Sequence, residues 1–134
     1  MAAIVTVAAN KLLDASLGTA SLTAFSGAAK IRLTTGTAPS ASTAGTELTG
    51  TGYTAGGTTI VFGAASANTA ANSGSAITWT NGSGSAWSIV GLEIWDSAGT
   101  PLRWWFGTWT GEPISVPNGA IFSIATGAVT VGLT

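Results

Sequence analysis

The stretch from residue 86 to 109, AWSIVGLEIWDSAGTPLRWWFGTW, holds five of the chain's six tryptophans: Trp87, Trp95, Trp104, Trp105 and Trp109. It reads as two strands joined at Ser97-Ala98-Gly99-Thr100. Successive strand side chains point to opposite faces. On that rule Trp87, Ile89, Gly91, Glu93 and Trp95 share one face of the first strand, and Ser88, Val90, Leu92, Ile94 and Asp96 share the other. In the second strand Leu102, Trp104 and Phe106 oppose Arg103, Trp105 and Trp109. Both faces are largely apolar, and the adjacent Trp104 and Trp105 cannot enter one core together. A strand of this kind is covered on both sides, or lends one side to a partner. The pattern speaks of contact surfaces rather than of chemistry.

The rest of the chain is a series of short strands punctuated by polar turns. Residues 8–17, AANKLLDASL, carry the one good helical pattern. Ala9, Leu12, Leu13, Ser16 and Leu17 would form an apolar stripe, with Lys11 and Asp14 opposite and Gly18 as the stop. A helix of about three turns must dock to persist, so the stripe is expected to cap a sheet or to contact a neighbouring subunit. Ile31 and Leu33 alternate with Lys30, Arg32 and Thr34 as in a half-buried strand. Residues 35–52 form a long polar loop, of the length that is usually functional or mobile. Further strands are expected at 58–62, 76–80, 114–116, 121–125 and 128–133. Residues 64–75 read as a connector, Asn81-Gly82-Ser83-Gly84 and Pro117-Asn118-Gly119 as turns. This rhythm predicts an all-β fold, an antiparallel sandwich or barrel with one short N-terminal helix. With 134 residues, a single domain over 1–134 is expected, with an N-terminal helical segment at 1–18 and a β-sandwich body at 29–134.

Composition narrows the chemistry. The chain has no cysteine and no histidine, and only four basic and five acidic residues. Thiolate metal sites, ordinary catalytic triads and the commonest general base are therefore missing. A net charge of −1 gives no basic footprint for nucleic acid. No apolar run reaches membrane-span length, and the N-terminus lacks a basic region ahead of its apolar run, so no secretory signal is expected. Among the carboxylates Asp14, Glu47, Glu93, Asp96 and Glu112, Glu93 and Asp96 face opposite sides of one strand and cannot pair locally. Glu93 is expected to be solvated or at an interface, meeting Arg103 across the hairpin, and Asp96 to be a turn residue. Gly50-Thr51-Gly52 lacks the lysine and following helix of a phosphate loop. These residues predict no enzyme, no cofactor and no metal. The tryptophans suit cores and interface centres; a sugar-stacking platform is the alternative, though amide and carboxylate partners are scarce around residues 102–109.

The order of features resembles a family of small bacteriophage virion proteins, described as tail fibre or head decoration proteins. The shared marks are a helix of the type Asn10-Lys11-Leu12-Leu13-Asp14, the segment Glu47-Leu48-Thr49-Gly50-Thr51-Gly52-Tyr53, Phe62 to Ala65 followed by Asn68 to Ala70, the aromatic-Asp turn Trp95-Asp96, and an ending that runs from Gly119 to Val131. The Trp104-Trp105 pair is not part of the resemblance. The resemblance implies a structural component of a virion. Its main expectation is a capsid decoration protein that binds the major capsid protein and self-associates, as a trimer, without nucleic acid or membrane partners. The alternative is a tail fibre or minor tail protein with an aromatic patch for a glycan or receptor. On either reading the contact candidates are Leu12, Leu13 and Leu17 of the helix, with Trp87, Trp95, Arg103, Trp104, Trp105 and Trp109 of the hairpin.

Overall fold

Ile31 and Leu33, alternating with Lys30, Arg32 and Thr34, build the strand about which the molecule is arranged. The computed structural model describes residues 1–21, 25–111 and 113–133. In chain order the elements are β1 (Ala3–Ile4), α1 (Thr6–Ser16), β2 (Lys30–Thr35), β3 (Thr46–Glu47), β4 (Thr58–Thr59), β5 (Thr69–Ala71), β6 (Ile77–Thr80), β7 (Trp87–Ile89), β8 (Gly91–Trp95), β9 (Arg103–Thr108), β10 (Ile114–Val116), β11 (Ile121–Ile124) and β12 (Thr130–Gly132).

The fold is all-β, with strands in antiparallel sheets and one short helix. The main sheet has the order β1-β9-β8-β2-β3, and β4 also pairs with β2. Its register sets Ile31 opposite Ile94, Arg32 opposite Glu93 and Leu33 opposite Leu92. Three two-stranded sheets, β10-β7, β11-β6 and β12-β5, complete the set. Their apolar residues converge on the inner face of the main sheet. Ile31, Leu33, Ile89 and Ile94 are essentially inaccessible, with Trp79, Trp87, Val116, Ile124 and Val131 packed around them. Full burial contributes about 1.5 to 3 kcal/mol for each such side chain, so this cluster dominates the folding energy.

The stretch 86–96 does not keep one face throughout. Trp87 and Ile89 lie in the core, yet so do Leu92 and Ile94, so the alternation flips at Val90-Gly91. The reason is a change of partner: β7 pairs with β10, whereas β8 runs between β2 and β9. Gly91 permits this, because a Cβ there would meet the carbonyl oxygen of Gly107 and the ring of Pro39. A second irregularity falls at Ile94/Trp95, where Ile94 pairs with Trp105 and Trp95 with Arg103. That bulge moves Arg103 from the face it was expected to share with Trp105 to the outer face of the sheet, beside Glu93.

The helix docks by another side than its apolar stripe suggests. Val5 and Ala8 are buried against Trp104, while Leu13 stays 57% and Leu17 68% exposed. The entry to the helix fixes this. The chain leaves the edge strand β1 with the Val5 amide donating to the Trp104 carbonyl at 2.9 Å and the Thr6 amide to that of Ala41 at 3.1 Å. The small Ala8 then lets the helix approach the sheet. At about 3.6 residues per turn, Leu17 falls on the side opposite Ala8. Gly18, at φ +69°, ends the helix as expected.

Candidate functional site

Two ion pairs, Arg32–Glu47 and Arg103–Glu93, take up four of the chain's nine charged side chains on the outer face of the main sheet. Glu93 is not solvated: it is 2% exposed. Its Oε1 accepts from Arg103 Nη1 at 2.8 Å and from the Gly45 amide at 2.9 Å, and its Oε2 accepts from Trp95 Nε1 at 3.0 Å. Arg103 also donates to the carbonyls of Thr43 (2.8 Å) and Ala41 (3.3 Å). The pair thus fastens residues 41–45 of the long polar loop onto the sheet. Arg32 lies 4.2 Å above the Trp95 ring and 3.8 Å from Glu47. Glu47 accepts from Tyr53 Oη (2.9 Å) and from the Gly56 amide (2.8 Å). Burial, with the Glu47 carboxylate beside it, pushes the Tyr53 phenol well above its usual range. Asp96 is a turn residue, as expected. Burial would raise its pKa, but the amides of Leu102 and Ala98 and the Trp104 indole donate to it, and the carboxyl is held below the ordinary range. These carboxylates are engaged in holding backbone and aromatic groups. Among the described residues no three His, Cys, Asp or Glu side chains gather as a metal site. Glu112 lies outside the described residues.

The structure disperses the contact candidates. Trp87, Arg103 and Trp104 are buried within the chain. Trp104 lies on the helix side with Phe25 (ring centroids 5.4 Å apart), whereas Trp105 is half-buried and packs against the main core as well. The adjacent pair does serve two surfaces. Trp95 and Leu12 are half-buried, and Leu13 and Leu17 project from the helix.

Two of the concave surfaces among the described residues each gather two or more aromatic side chains. The first is a cleft of about 390 Å³ where β9 and β11 approach without pairing. Trp109 and Phe122 meet in its wall edge to face, centroids 5.8 Å apart, and Trp79 stacks on Phe122 at 5.9 Å. The hydroxyl residues Thr108, Ser123 and Thr130 line it together with apolar residues such as Leu92, Ile124 and Val129, and no charged side chain does. The second is an apolar groove of about 440 Å³ at one end of the core, bounded by Phe25, Ile60, Val61, Phe62, Ala70 and Trp105 among others. Phe25, Val61 and Phe122 were not singled out by sequence. Phe25 and Phe122 meet Trp104 and Trp109 from other parts of the chain, and local periodicity carries no signal for such a meeting.

A family model described as Podophage GP4 fiber I protein gp80 matches residues 3–132. No curated protein and no solved structure gives a match. No helix among the described residues is long and apolar enough to cross a membrane. The family match spans the helix, the central strand, the hairpin and most of both concave surfaces, and the chain belongs to this family of small phage virion structural proteins, the podophage fibre I proteins.

Proposed function

We propose that the chain is a non-enzymatic building block of a podophage fibre, and that the Trp109–Phe122 cleft is its binding surface for a neutral carbohydrate. The cleft is the observation that carries the second part. Its volume falls in the range of small-ligand pockets. It offers aromatic surface for the apolar face of a sugar ring, hydroxyls for its polar edge, and no charged side chain. The family description names a fibre, which supports the tail-fibre reading over the capsid-cement reading. Binding to the major capsid protein and a homotrimeric state belong with that cement reading.

The test is the copy number of the protein in purified particles, by quantitative mass spectrometry against the major capsid protein. A fibre component gives few copies per particle. A ratio near one, or a simple fraction such as one third, would overturn the fibre assignment in favour of capsid decoration. The cleft is tested by titrating neutral oligosaccharides and following tryptophan fluorescence. Saturable binding that Trp109→Ala abolishes is expected; binding unchanged in Trp109→Ala would remove the cleft from the proposal.

A further inference from the structure

We infer that copies of this chain associate head to tail, the outer ridge of α1 on one copy seating in the apolar groove beside Trp105 on the next. The ridge is Leu13 and Leu17, one turn apart, each more than half exposed, with the exposed carboxylate of Asp14 beside them. The helix already has a docked side, through Ala8, so this ridge is left over once the monomer has folded. The groove is of matching character. Val61, 56% exposed, stands at its rim, and Thr59 contributes polar surface there.

Charge complementarity selects the occupant. The Thr59 hydroxyl accepts from Lys30 Nζ at 2.8 Å, which places an ammonium at the groove's lip. Among the described residues neither Lys30 nor Asp14 has an ion-pair partner, whereas Arg32 and Arg103 are both paired. A ridge of two leucines and one carboxylate therefore fits a groove of apolar side chains and one ammonium. The chain's net charge of −1 adds little repulsion between copies. Ridge and groove are different surfaces, so the contact is heterologous. Each association leaves a free ridge at one end and a free groove at the other, and the contact repeats. The ridge is small beside the roughly 800 Å² per partner of a standard stable complex. Single contacts are accordingly weak, and they gain strength by repetition and tethering. The inference does not depend on what the Trp109–Phe122 cleft binds.

The test is sedimentation velocity on the full chain at concentrations up to about 1 mM, where weak contacts populate. The wild type is expected to form a concentration-dependent ladder of species. Leu17→Glu and Val61→Asp, both at exposed positions, should each remain monomeric with unchanged circular dichroism. Mixed together they should give a heterodimer and nothing larger, because one variant retains only a groove and the other only a ridge. Asp14→Lys and Lys30→Glu should each weaken association about tenfold, and the double exchange should restore it. A wild type that stays monomeric throughout overturns the inference, and the ridge then belongs to a different virion protein. Homodimers formed by Val61→Asp alone would show a symmetric ridge-to-ridge contact and overturn it equally.

Discussion

Glu93 Oε1 and Arg103 Nη1 lie 2.8 Å apart, buried on the outer face of the main sheet, and the same guanidinium reaches the carbonyls of Thr43 and Ala41. One ion pair thereby couples neighbouring strands to a loop some 60 residues away in sequence. Removing one partner leaves a buried charge uncompensated, at a cost of about 3 to 5 kcal/mol. Replacing both with apolar residues avoids that cost. Glu93→Met and Arg103→Met should each lower urea stability by about that amount, and the double variant should recover much of it. Single losses below about 1 kcal/mol would show that water reaches the pair.

Two backbone positions should respond in opposite directions to the exchange of glycine and alanine. Gly52 sits at φ +96°, and a Cβ there would strike the carbonyl oxygen of Thr80. Gly52→Ala should cost about 2 kcal/mol or more, from left-handed strain plus the displacement of β6. Ala67 and Asn68, at φ 49° and 63°, form the turn between Ser66 and Thr69, the geometry that favours glycine or asparagine. Ala67→Gly should therefore stabilise the chain by about 0.5 kcal/mol, the strain relieved exceeding the added freedom of the unfolded chain. Thermal melts of the two variants should move down and up, respectively.

Tyr53 predicts an alkaline limb in the stability profile. Its phenol titrates higher in the folded chain than in the unfolded one, because of burial and the adjacent Glu47. The unfolded tyrosine loses its proton near pH 10, while the folded one keeps it. The contribution is therefore complete below about pH 10 and is lost as pH rises above it. Tyr53→Phe should be less stable at neutral pH, since it loses the bond to Glu47. Its deficit against the wild type should shrink above about pH 10. A deficit constant with pH would show that the phenol titrates normally.

Local periodicity made the β class, the helix stop at Gly18 and the strand around Ile31 and Leu33 legible in the sequence. The division of Trp104 and Trp105 between two surfaces was legible too, since adjacent strand residues must diverge. Features set by pairing at a distance were not. Thr69-Ala70-Ala71 has no strand-like pattern and becomes β5 because β12 lies beside it. The alternation expected through 86–96 flips at Gly91, where a strand exchanges one partner for two. The docked side of α1 follows from the bond between Val5 and Trp104 rather than from the leucines. Of the cleft, Trp109 could be read as a candidate, but Phe122 could not be assigned to it before β11 was placed against β9.

Asp96 and Trp104 supply the acid counterpart to Tyr53. Trp104 Nε1 donates to Asp96 Oδ2 at 3.0 Å, and the amides of Leu102 and Ala98 donate to Oδ1. These bonds favour the charged carboxylate enough to outweigh its burial, so its pKa is depressed in the folded chain. The sign is opposite to that of Tyr53. The stability Asp96 adds is complete above the unfolded value near pH 4 and is lost as pH falls toward the folded value. Trp104→Phe keeps most of the apolar contact with Val5, Ala8 and Phe25 but removes the indole donor. It should cost about 1 kcal/mol or more at neutral pH through the lost charged hydrogen bond, plus a packing loss that does not vary with pH. The difference from wild type should narrow as pH falls below about 4, where the carboxyl becomes protonated in both proteins. The Asp96 carboxyl resonance should titrate at higher pH in the variant. A difference that stays flat with pH would assign the whole effect to packing and leave the two backbone amides as the groups that hold the carboxylate.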